Sequence, residues 1–236
     1  MTSTGHHIAS IAFLGVLLGA CSLRTDGRGL GVMGELKARQ GATGRVQPFT
    51  SLTGLLENVD YRMPGRPTGP LTEAVVVGEV VDVEPGRGFR VEGDDAPGGI
   101  ETDFDDPRAL WRTVHVSVAA ESVVSGTVGE QLLVGFAFDP DVPIAQVEAD
   151  FRSFGRILLF LNRSPVFAYD PSVYGTVFDG GLLGLVDDGG DIQLPVLEDT
   201  EEADLLEGAS TVDELREAAK QPRRVIELDA SGMPAE

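Results

Sequence analysis

Apolar residues recur along this chain in short alternating or solid runs, with few long helical stripes. Ala74 to Glu84 contains Val75, Val76, Val77, Val80, Val81 and Val83, a β-branched density that predicts a strand. Gly78 in its middle predicts a bulge or bend, and Pro85-Gly86-Arg87-Gly88 predicts a turn. Phe89-Arg90-Val91 reads as a short strand and Glu92 to Pro107 as a long acidic loop. Thr113 to Ala119 alternates, with Val114, Val116 and Val118 on one face and His115 and Ser117 on the other. This strand extends to a turn at Ser125-Gly126. Gln131 to Phe138 is the next strand. Arg156 to Leu161 is the most apolar one and predicts burial on both faces. Tyr174 to Phe178 is a weaker strand. Leu182 to Val186 and Asp191 to Leu194 flank Asp187-Asp188-Gly189-Gly190 as a β-hairpin.

Two helices frame these strands. Ser51 caps a short one carrying Leu52, Leu55 and Leu56 at helical spacing, ended by Asn58. The stretch from Tyr61 to Thr72, with three prolines and two glycines, reads as a loop. Thr211-Val212-Asp213-Glu214 is a capping box, in which Thr caps the third helical amide and Glu reaches back. Leu215 and Ala218 or Ala219 supply that helix's apolar stripe, Pro222 stops it, and Val225-Ile226 adds an edge strand. The expectation is a mainly β fold: a small antiparallel barrel or sandwich of five or more strands, with a short N-terminal helix and a C-terminal helix.

The N-terminus has a different texture. Ile8 to Leu18 is apolar, too short for the roughly 20 residues of a membrane span but fitted to the core of a signal peptide. Leu18-Gly19-Ala20-Cys21 resembles the lipobox of bacterial lipoproteins, although the preceding residues carry no Lys or Arg. The resemblance implies a diacylglyceryl group on the Cys21 sulfur and cleavage after Ala20. The alternative is a plain signal peptide that leaves Cys21 a free thiol. Two or more acyl chains hold a protein firmly on a membrane. The implied address is therefore the extracytoplasmic face of the cell membrane. Arg outnumbers Lys 16 to 2, a bias associated with high-GC bacteria such as actinobacteria. The expected division is 1–20 signal peptide, 21–48 flexible tether, 49–221 β domain with its C-terminal helix, and 222–236 tail. The tether's Ser22–Gln47 stretch, 26 residues, spans at most about 90 Å.

Composition narrows the chemistry. The net charge of −20 is concentrated beyond residue 70, and such a domain repels phosphate backbones, so nucleic acid is not an expected partner. Cys21 is the only cysteine. An exported domain without disulfides or thiol ligands must rely on its core. Past the signal segment His115 is the one histidine. It reads as a surface or half-buried strand residue, because no Gly-x-Ser-x-Gly elbow accompanies it and a zinc site needs three or four ligands. Trp111, Tyr169 and Tyr174 read as core or rim packing. No cofactor is expected. Asp103, Asp105 and Asp106, and separately Asp187, Asp188 and Asp191, are candidate calcium ligands, although neither group has a calcium-loop spacing.

The strand sequence also resembles OB-like barrels, including the netrin and tissue-inhibitor-of-metalloproteinases type, as found in secreted bacterial proteins. The residues that carry the resemblance are the valine-rich strand broken by Gly78, the long alternating strand to Ser125-Gly126, and Phe154-Gly155-Arg156-Ile157-Leu158-Leu159-Phe160-Leu161. It covers roughly residues 49–195 and implies the fold only. The animal inhibitors act through a disulfide-fixed N-terminal cysteine that this chain lacks. The function expected from these features is non-catalytic binding of an envelope protein or cell-wall component. The alternatives are a calcium-dependent binding module and a carboxylate-based hydrolase.

Overall fold

The computed structural model describes residues 31–43, 51–65, 67–91, 99–197 and 208–229. The lipobox residues Leu18, Gly19, Ala20 and Cys21 lie outside them. The chain is mainly β. Its strands are β1 Val59–Arg62, β2 Ala74–Arg90, β3 Ile100–Thr102, β4 Trp111–Gly126, β5 Gln131–Phe138, β6 Arg156–Asn162, β7 Val173–Thr176, β8 Gly184–Val186, β9 Ile192–Gln193 and β10 Arg224–Glu227. Three α-helices accompany them: α1 Gly31–Thr43, α2 Ile144–Ser153 and α3 Val212–Ala219.

Eight strands form one sheet in the order β3-β2-β4-β5-β7-β6-β8-β9, with an additional β2–β6 pairing. The pairings β2–β4, β4–β5, β5–β7, β7–β6 and β6–β2 therefore return to their starting strand. The sheet is mixed where an antiparallel one was expected. Leu133 and Val134 of β5 run parallel to Val173 and Tyr174 of β7, and β1 and β10 form a separate parallel pair. The cause is α2: it carries the chain from the end of β5 to β6, so β7 comes back alongside β5 in the same direction.

Two apolar layers lie on either side of β2 and β6. Ala74, Val76, Ile157, Leu159 and Leu161 join Val114, Val116, Val118, Val134 and Phe136 in one cluster, to which α1 adds Val32 and Leu36 and α2 adds Val147 and Phe151. Val75, Val77, Leu158 and Phe160 point the other way, into a second cluster with Leu52, Leu55, Leu56, Val212 and Leu215. The prediction that β6 is buried on both faces holds, and β2 shares the property over residues 74–78. Each fully buried Leu or Phe contributes about 1.5–3 kcal/mol.

Several local expectations hold. Ser51 caps a 3-10 turn at Leu52–Leu55, Thr211 and Glu214 form both bonds of the capping box, and β8 and β9 pair as a hairpin. The register between β2 and β4 shifts at Val77/Gly78, and a Cβ on Gly78 would strike Ala119.

Others are corrected. Pro85 to Gly88 is no turn, because β2 runs through it with a register shift. The Thr113 hydroxyl accepts from Arg87 N at 2.8 Å and lies 3.2 Å from Arg87 O, so a side chain replaces ladder bonds at the bulge. The expected tether contains α1, whose Val32 and Leu36, four residues apart, fill the first cluster. The Asp150 carboxylate of α2 accepts from Val32 N at 2.7 Å. The Tyr61–Thr72 loop begins within β1, and the acidic loop contains β3. After Thr176 the weak strand becomes a 3-10 turn, Val177–Gly180. Helix α2 is not among the predicted elements, although Ile144, Val147 and Phe151 have helical spacing.

Candidate functional site

A grouping of polar and aromatic side chains lies on the outer face of β4. Thr113 and His115 alternate with the inward valines, so the pleat directs them away from the ring's interior. A segment spanning 163–172, here termed the strap, crosses this face between β6 and β7. Tyr169 of the strap places its hydroxyl 2.8 Å from His115 Nε2 and 2.9 Å from Thr113 Oγ1. His115 is consequently only 8% exposed, a correction to the surface or half-buried position expected from alternation alone.

Glycines make room for this contact. A Cβ on Gly135 of β5 would overlap the Phe167 ring, and one on Gly86 would meet Thr113 and His115. Phe167 and Tyr169 meet edge to face at 6.3 Å. The Tyr169 ring lies 5.9 Å from that of His115 and 6.0 Å from that of Phe89. Phe89 in turn stacks on Trp111 at 5.3 Å, with the planes parallel to within 1°.

The electrostatics favour neutral groups. Burial lowers the His115 pKa, Glu84 and Asp170 raise it, and Arg87 lowers it. The Glu84 carboxylate is 3.9 Å from Nδ1. Burial raises the Tyr169 pKa, a shift opposed by its bond to Thr113. The arrangement puts one titratable imidazole in hydrogen-bond contact with a phenol that also reaches the Thr113 hydroxyl. It contains no Ser or Cys nucleophile beside the imidazole.

A second charged grouping lies where α1 meets the end of β5. Burial lowers the pKa of Arg39, and Asp179, Glu35 and Asp139 raise it. Burial raises the Glu35 carboxyl, with Asp139 adding to the effect. Phe178 and Asp179 both occupy the left-handed region, at φ 54° and 50°, a conformation that costs non-glycine residues about 1–2 kcal/mol each.

The aspartates singled out from sequence stay in two separate turns. Asp106 accepts from Thr102 Oγ1 at 2.6 Å and from Arg108 N, Nε and Nη2 at 2.9–3.0 Å. The hydrogen bonds from Arg108 and Thr102 hold its carboxyl far below the usual range. Asp103 closes the same turn through its carbonyl, beside Asp105. Asp187 accepts from Asp191 N at 2.9 Å, so its carboxylate pins the hairpin, while Asp188 is exposed. Among the described residues no three His, Cys, Asp or Glu side chains form a group able to hold a metal ion.

Trp111 packs as expected. Tyr174 lies under the Arg163 guanidinium at 3.8 Å. Tyr169 does more than pack, and nothing in the sequence pairs it with a histidine 54 residues away. A cleft of about 200 Å³ lies between Asn58, Val59, Gln221 and Pro222, smaller than the roughly 300–1,000 Å³ of typical small-molecule sites. No helix among the described residues is long and apolar enough to cross a membrane. No family model, curated protein or solved structure matches this chain.

Proposed function

We propose that this protein is a lipid-anchored component of the extracytoplasmic face of a bacterial membrane, and that its β domain is an OB-like barrel acting as a non-catalytic binding module. The observation that carries the reading is the ring of pairings β2–β4–β5–β7–β6–β2, with its one parallel pair and a helix between β5 and β6. Small barrels of this kind are filled by side chains and present ligands with their outer strand faces and loops. The packed interior and the small cleft favour recognition by the surface over capture in a cavity. The partner is an envelope protein or cell-wall component, and the acidic domain disfavours nucleic acid.

Two experiments test this reading. In intact cells, a photoreactive residue on the outer face of β5, at Leu133, is expected to give one discrete adduct. Reversing a neighbouring charge should abolish it. The absence of an adduct from Leu133 and from neighbouring outer-face positions would remove the binding reading. Cys21→Ser is expected to abolish acyl labelling and release the protein from the membrane fraction. Retention with normal processing would remove the anchor.

A further inference from the structure

The strap is attached to the sheet by side chains. Its main-chain hydrogen bonds run within itself: Phe167 N donates to Ser164 O, Asp170 N to Phe167 O and Val173 N to Asp170 O, at 3.0–3.1 Å. Asp170 Oδ1 also accepts from Ser172 N and Oγ at 2.9 and 2.6 Å, and Arg163 Nη1 donates to Pro171 O at 2.7 Å. Among the described residues no main-chain bond of 164–172 reaches β4 or β5. The strap's turns are single and local, so with the side-chain anchors released nothing else shields their amides from solvent and they exchange readily. Its hold consists of Phe167 on the Gly135 backbone, the Tyr169 ring beside Phe89 with its hydroxyl between His115 and Thr113, and, at its first residue, the Arg163–Glu73 ion pair.

We propose that the strap is a pH-sensitive latch: proton uptake by His115 loosens the Tyr169 contact and lifts 163–172 from the outer face of β4 and β5. In the closed state the imidazole has almost no access to water. A cation there must be balanced by the groups that face it, which are Glu84 and Arg87 from β2 and Tyr169 and Asp170 from the strap, with Glu101 of β3 beside Tyr169. Glu84 and Asp170 favour the cation; burial and Arg87 oppose it, and the opposing side prevails. Opening returns the ring to water and relieves the burial cost.

The sign follows by linkage. A histidine whose closed-state value lies below its open-state value supports closure fully above the ordinary histidine range, near pH 6.5. That support declines as pH falls through the depressed value and is then exhausted. Each unit of difference between the two states changes the opening equilibrium about tenfold. The latch operates whether or not the face beneath it binds a partner, so its failure and the failure of the binding reading are separate results.

The test is hydrogen–deuterium exchange of the full-length protein in detergent micelles between pH 7.5 and 5, normalised to the intrinsic exchange rate at each pH. Peptides covering 163–172 are expected to lose protection several-fold as pH falls below 6.5, while β4 and β6 stay protected. His115→Gln should give a flat profile. Tyr169→Phe should lower the strap's protection at every pH. A wild-type strap equally protected at pH 5 and 7.5 would overturn the latch, as would the wild-type profile persisting in either variant. Should His115→Gln misfold, Tyr169→Phe and the wild-type profile decide the matter by themselves.

Discussion

The two faces of β4 are built from alternate residues of one strand, yet they obey different physics. Val114, Val116 and Val118 enter a close-packed interior with Phe136 and Ile157. Thr113 and His115 enter a contact of hydrogen bonds and rings under the strap. Both faces are buried, but the inner one loses little by a change of proton count and much by a change of volume. The outer one is the reverse. Burial by itself therefore says little about what a position tolerates; the question is which property of the side chain its neighbours measure.

The largest break of this contrast comes from the inside. Phe136→Ala removes a ring packed 4.9 Å from Phe151, and its expected cost is about 3–5 kcal/mol, read by chemical denaturation. On the outside, Gly135→Val should cost less overall but displace Phe167, because the added carbons occupy the space of its ring. The expected readout is loss of exchange protection confined to 163–172. Tyr169→Phe keeps the ring and deletes the hydroxyl, leaving His115 Nε2 without that partner; about 1–2 kcal/mol is expected, again in the strap. Thr211→Ala, at the cap of α3, should cost about 1 kcal/mol and leave the strap unchanged. The smallest effect sharpens the sign: Glu84→Gln removes a group that favours the His115 cation. It should move the midpoint of strap opening to lower pH by a fraction of a unit.

Inward faces were legible in the sequence because a period of two is visible in consecutive letters. Val114, Val116 and Val118 declare it, and the solid run Ile157 to Leu161 declares a strand covered on both sides. Capping residues were legible for a similar reason, since Ser51 and Thr211 act on amides three residues away. The bulge at Pro85 to Gly88 was hidden because its hydrogen-bonding partner, Thr113, is 26 residues distant. The Tyr169–His115 contact was hidden more deeply, across 54 residues. The helices α1 and α2 are a different failure. Val32 with Leu36, and Ile144 with Val147 and Phe151, have the spacing of a helical stripe. In α1 the glycines and polar residues around the pair outweighed it.

The placement of α1 bears on how the domain moves. If Cys21 carries the proposed lipid, the chain between the lipid and α1 is not the 26 residues up to Gln47 but the nine from Ser22 to Leu30, whose contour length is at most about 30 Å. The volume the domain can sweep shrinks roughly with the cube of that length, some twenty-five-fold relative to the longer tether. Asp150 and the apolar seat of Leu36 also fix where on the domain the leash attaches. The lipid would then do more than retain the protein: it would present one side of the β domain to the membrane and aim the other outward.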